Sequence, residues 1–166
     1  MPERETLERA RRDKREGKAA STQAGEFVRE EIEHVREGKH GARSTKQAIA
    51  IGLSKARRAG VKLPAPKKGT VAKTTREKAE QDNAAGQQGK RKVSSTRSRA
   101  TRSALKREGH SAASPKALSK QAKSAAAKRT AADRSAAARK AAQTKGPAAR
   151  SAAAKKAART RAKAKS

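Results

Sequence analysis

Only fifteen of the 166 residues are Val, Ile, Leu, Met or Phe, and nine of those fall between Phe27 and Leu63. Ordering each residue costs about 1–2 kcal/mol of backbone entropy. Bulky apolar side chains offset that cost when buried, and alanine contributes little. Any core must therefore lie in this window. Outside it, few large apolar residues and a net charge of +30 give the composition of a disordered chain. The expected fold class is all-α and largely disordered: a small helical hairpin with a long low-complexity cationic tail. The expected divisions are a charged N-terminal helix or arm (1–24), a helical hairpin domain (25–64), a disordered basic linker (65–123) and a helix-prone Ala/Lys-rich repeat tail (124–166).

Within the window, EFVREEIEHVRE (26–37) sets Val28, Ile32 and Val35 at i, i+4, i+7, one stripe of a helix. Gly38 is placed to stop it. A second helix opens at Ser44, where Ser44 and Gln47 read as a capping box, each side chain reaching the other's backbone N–H. Ala48, Ile49, Gly52, Leu53, Ala56 and Ala59 then gather on one face, with Lys46, Gln47, Ser54, Arg57 and Arg58 on the other. Gly60 ends the pattern, and Val61 and Leu63 are positioned to fold back over its end before Pro64. The expected packing residues are Val28, Ile32, Val35, Ile49, Gly52, Leu53 and Ala56. The small residues Ala48, Gly52 and Ala56 allow another helix to approach closely. So small a core predicts marginal stability or self-association through that face. The Gly38–Arg43 connection is too long for the tight turn of a DNA-reading helix-turn-helix.

The core KHGARSTKQAIAIGLSKARRAG, Lys39 to Gly60, resembles a small, poorly characterised bacterial domain family in which KHG-x-x-S-x-K-Q-A-I-A-I-G-L-S-x-A-R-R-A-G recurs. Some members carry a plasmid-stabilisation or DNA-binding label, so the resemblance implies association with DNA. It brings no catalytic or binding residues with it.

Charge is distributed unevenly. Residues 1–40 hold ten basic and ten acidic side chains, 41–83 hold eleven and three, and 84–166 hold 24 and two. The first segment, Pro2 to Lys18, has Glu5/Arg9 and Glu8/Arg12 at i,i+4, each pair worth about 0.2–0.5 kcal/mol. With Leu7 and Ala10 as its only apolar residues it predicts a solvated helix that packs weakly. The tail carries three copies of an eleven-residue unit: SAAAKRTAADR (124–134), SAAARKAAQTK (135–145) and SAAAKKAARTR (151–161). Eleven residues are close to three helical turns, so the copies stay in phase. Their basic positions surround the helix and leave no bulky apolar face. A membrane-surface helix and a coiled coil both need such a face. Gly146-Pro147 predicts a break. In its Lys/Ala content and its Ser114-Pro115-Lys116, the basic stretch 84–166, about half of the chain, resembles linker-histone C-terminal tails and their bacterial nucleoid-coating analogues.

The expected function is sequence-independent binding of duplex DNA by phosphate neutralisation, as a cytoplasmic, nucleoid-associated protein. The candidate contacts are Lys128, Arg129, Arg134, Arg139, Lys140, Lys145, Lys155, Lys156, Arg159 and Arg161, with Lys46, Arg57 and Arg58 of the hairpin. An RNA- or ribosome-associated role and a protein-binding adaptor role through the hairpin are the alternatives. Phe27 is the sole aromatic residue, which argues against recognition by base stacking. No cofactor, enzyme activity or membrane segment is expected. There is no cysteine, and no nucleophile–His–Asp pattern. His34 and His40 stand six apart across the expected turn, near Glu30, Glu33 and Glu37, and are read as exposed histidines rather than metal ligands.

Overall fold

The computed structural model describes residues 2–88 and 94–163, with the side chains at 144, 145 and 163 outside the described set. Among the described residues the elements are helical: α1 (Arg4–Arg15), α2 (Ala20–Arg36), α3 (Thr45–Arg58), α4 (Lys73–Gln87), α5 (Ser95–Lys106), a 3₁₀ turn (Ser111–Ala113), α6 (Pro115–Ala127) and α7 (Ala131–Lys163). Residues 1–121 form one compact unit and 122–166 a second.

The hairpin is present and is the centre of the first unit. Gly38 and Gly60 follow α2 and α3 with φ of 74° and 88°. Ser44 caps α3 by accepting from the Gln47 N–H at 3.2 Å. The reciprocal half of the box differs from expectation: Gln47 Oε1 accepts from the Arg43 N–H at 2.8 Å. The small-residue stripe does what its size allows. Ala48 and Ala56 are fully buried, and a Cβ built on Gly52 would stand 2.6 Å from the Cα of Val28. No real Cβ tolerates that approach, so only glycine lets the two backbones cross here. The face expected to be free for a second copy is thus occupied by α2 within the chain.

α2 begins at Ala20, inside the segment assigned to an N-terminal arm, and buries two faces instead of one. Ile32 and Val35 pack with Ala42, Ala48, Ala112 and Ala113, flanked by Val28 and Leu118. Phe27 and Ala24 pack with Ala10, Ala56 and Val61, flanked by Leu7, Leu53 and Leu63. The second cluster corrects the reading of the N-terminal helix as weakly packed. α1 docks on α2 through Ala10 and the buried Thr6, and Arg9 Nε donates to Glu26 at 2.7 Å. Arg9 also pairs with Glu5 as expected, whereas Glu8 pairs with Arg4 rather than with Arg12. Ile49 and Leu53 are only half-buried.

The stretch 65–123 was expected to be disordered, and its described residues are instead mostly helical, with two parts locked onto the hairpin. Around residues 105–113 the locks are main-chain bonds. Gly41 N–H donates to Leu105 O (2.9 Å) and Ala42 N–H to Gly109 O (3.0 Å). Arg36 and Thr45 side chains donate to the carbonyls of Ala113 (2.9 Å) and Ala112 (2.6 Å). α4 lies along α3, held by the buried carboxylate of Asp82. That group accepts from Ser54 Oγ at 2.6 Å and Arg58 Nε at 2.8 Å. Hydrogen bonds to a charged group contribute about 1.5–3 kcal/mol. Asp82→Ala should therefore destabilise the α3–α4 contact by about that much. Hydrogen exchange checks it: amides of 73–87 should exchange faster while those of α2 and α3 stay protected.

In the second unit, α7 is interrupted at Gly146 (φ 65°, ψ 169°), where the Gly-Pro pair predicts a break. A further break falls inside the first repeat. Thr130 and Asp133 form a capping box, with Asp133 N–H donating to Thr130 Oγ1 at 3.1 Å and Thr130 N–H to Asp133 Oδ2 at 3.3 Å. A T-x-x-D signal was there to be read.

Candidate nucleic-acid interface

The expected contact residues separate into two groups. Lys128, Arg129, Arg134, Arg139, Lys140, Lys155, Lys156, Arg159 and Arg161 are all exposed on or beside α7. The side chain of Lys145 lies outside the described set. Residues 124–166 contain thirteen Lys/Arg and one carboxylate side chain, Asp133, and that carboxylate caps a helix. Because the basic positions circle the helix, α7 has no single charged face.

The hairpin group fares differently. Lys46 is exposed at the start of α3. Arg58 is 52% exposed and tied to Asp82. Arg57, read as part of an exposed basic face, is 7% exposed, because α4 and the 61–66 segment cover it. Its guanidinium donates to Pro64 O at 3.3 Å, and its Nε has no hydrogen-bond partner among the described residues. Burial lowers its pKa, with the charge of Asp82 opposing. α3 therefore lies between α2 and α4, and of its three candidate cations only Lys46 is exposed without a carboxylate tie. Arg97, Arg99, Arg102 and Lys106, on α5, are exposed and were not singled out from the sequence.

The structure also assembles a polar network that periodicity did not reveal. Glu30 and Glu31 are each 1% exposed. Lys55 Nζ from α3 stands 3.4 Å from Glu30 Oε1. It stands 2.5 Å from Glu31 Oε2, as an ion pair rather than a directed hydrogen bond. The backbone N–H of Glu3 donates to Glu30 Oε2 at 3.1 Å. Nε2 of His40 lies 3.0 Å from Glu31 Oε1. Glu3 Oε1 accepts from His34 Nε2 at 2.8 Å and from Lys39 Nζ at 3.1 Å. These two bonds, His34 first, lower the Glu3 carboxyl from 4.5 to about 2. The network ties the N-terminus of α1, the middle of α2, the 39–41 connection and α3 into one body.

Residues 4–68 match a family of unknown function, DUF6496. The matched segment runs from the start of α1 through α3 and includes both buried glutamates, both histidines and Lys55. It stops before α4 and the whole of the second unit. No curated protein and no solved structure matches the chain. Among the described residues no helix is long and apolar enough to cross a membrane.

Proposed function

We propose that this chain binds duplex DNA without regard to sequence, by neutralising backbone phosphates, in the manner of histone-like, nucleoid-associated proteins. A link to plasmid or chromosome maintenance would rest on the plasmid-stabilisation label of some members of the family that Lys39–Gly60 resembles, while the family model matched over 4–68 is of unknown function. The observation that carries the reading is the second unit: helices whose described cations are exposed on all sides, with one carboxylate side chain among fourteen basic residues. Each phosphate neutralised releases condensed counterions, and this gain in free ions drives association. A helix charged all round can meet phosphates on either side without a preferred orientation. Base readout needs side chains held on a frame in a groove, and the best such frame, α3, has Arg57 and Arg58 engaged within the fold. Base stacking needs an accessible aromatic ring, and Phe27, the sole one, is 1% exposed. The matched segment then acts as a folded head that accompanies the cationic arm.

The full chain, titrated with salt against random-sequence duplexes by fluorescence anisotropy, tests this. With ten cations engaged, log K should fall against log salt with a slope of about −9, and duplexes of different sequence should bind alike. A slope shallower than about −2 would remove phosphate neutralisation as the mechanism. A strong preference for RNA at matched charge would move the assignment to an RNA-associated role.

A further inference from the structure

We propose that Glu31, His34 and His40 form a binding site for one divalent transition-metal ion of the zinc type. One donor atom from each of the three lies within 4.8 Å of the others. The convergence has a local cause. Glu31 and His34 are three apart on α2 and so share a face. Gly38, with φ of 74°, turns the chain at the end of α2, and Lys39 N–H closes on His34 O at 3.0 Å. His40 is thereby returned over the helix, with its ring centroid 6.0 Å from that of His34.

The hydrogen bonds on the two rings say which nitrogens remain for a cation. His40 Nδ1 lies 3.0 Å from the carbonyl of Gly41. A carbonyl only accepts, so Nδ1 carries a proton, and Nε2 is the nitrogen that faces a carboxylate oxygen of Glu31 at 3.0 Å. A proton on Nε2 makes this contact an imidazolium–carboxylate pair, and a metal ion takes the place of that proton when it binds. His34 Nε2 donates to Glu3 Oε1 at 2.8 Å, which leaves Nδ1 with its lone pair. Rings anchored through one nitrogen to a carboxylate or carbonyl, with the other nitrogen free, are the arrangement in which proteins hold metal-ligating imidazoles.

Charge balance points the same way. Glu30 and Glu31 bring two buried negative charges, and Lys55 supplies one positive charge at their far side. Lys55 leaves one of those negative charges uncompensated, so a cation beside Glu31 Oε1 is attracted there. Two imidazoles and a carboxylate suit zinc, nickel or cobalt rather than magnesium or calcium, which prefer all-oxygen shells. Ligands about 2.0–2.1 Å from a tetrahedral ion stand about 3.3 Å apart, so binding draws the imidazoles inward by about an ångström. Both rings are partly open to solvent, at 13% and 15% exposed, which gives an ion access. Its effect would be structural: it clips the 39–41 connection to α2.

The test uses the full chain, stripped with chelator and titrated with Zn²⁺ by calorimetry, and with Co²⁺ by visible absorption. One equivalent should bind, Co²⁺ should develop ligand-field bands, and thermal stability should rise with free Zn²⁺. Mg²⁺ should produce none of these. His40→Gln and His34→Gln should each weaken Zn²⁺ binding at least tenfold, while His110→Gln, whose ring approaches Gly38 but is not one of the three converging donors, should keep one-equivalent binding. Glu31→Gln is avoided because it strands Lys55 and could unfold the head; circular dichroism of each histidine variant checks that the helices persist. Failure of the parent chain to bind one equivalent, or unchanged binding by the folded His34→Gln/His40→Gln double variant, would overturn the site. DNA binding by the second unit would survive either result.

Discussion

Phe27→Ala should leave the head of this protein largely unfolded at ambient temperature. Phe27 is 1% exposed and is the largest fully buried side chain among the described residues, at the meeting of α1, α2 and α3. Its neighbours there include Ala10, Ala24 and Ala56, which are too short to collapse into the space it would vacate. Removing a buried phenyl ring costs about 3–5 kcal/mol when the surroundings do not relax. Domains hold about 5–15 kcal/mol in total, and one with so few large apolar residues lies at the low end of that range. Chemical denaturation followed by far-ultraviolet circular dichroism provides the measurement. A loss below about 1 kcal/mol would mean that the second cluster contributes little. Phe27→Leu, which keeps most of the volume, should retain a cooperative transition.

The second large effect concerns the tail. Replacing Lys128, Arg129, Arg134, Arg139, Lys155, Lys156, Arg159 and Arg161 together by glutamine removes eight exposed cations with little change in helix propensity. If all eight engage phosphate, the salt slope for duplex DNA should become shallower by about 7. Affinity at low salt should fall by about a thousandfold or more. Lys46→Gln alone should shift the slope by no more than about 0.9. An eightfold variant that kept the parental slope would place the binding surface on the first unit, for example on Arg97, Arg99 and Arg102 of α5.

Parts of the head could be read directly from residue order. Ser44, Gly38 and Gly60 mark the ends of α2 and α3, and Ala48, Gly52 and Ala56 announce a close helix crossing. These signals are local, and each acts within a turn or two. What escaped the reading is carried by partners that leave no periodic trace. α2 buries a second face because α1 offers it Ala10 and Thr6, small residues that do not look like a core. Glu30 and Glu31 look like solvent-facing acids until Lys55 and His40 are brought to them by the fold. Residues 105–113 attach to the connection and α3 largely through backbone carbonyls, which any side chain could accompany. α4 is held through Asp82, one of three carboxylates in a helix with three basic residues, and the same contact turns Arg58 from a free cation into a structural one. In the tail, the all-round charge was legible because a helix wheel needs only sequence, whereas the Thr130–Asp133 cap was passed over inside a repeat.

The helix crossing at Gly52 has a thermodynamic consequence. A contact made by Ala48, Gly52 and Ala56, bordered by the ion pairs of Lys55 and Asp82, brings little hydrocarbon out of water when it forms. Unfolding exposes polar as well as apolar surface, and the two change the heat capacity in opposite directions. The heat-capacity increment of the head should therefore fall below the usual ~12–15 cal/mol/K per residue. Its stability then follows a shallow curve with temperature, modest at its maximum but slow to decline on either side.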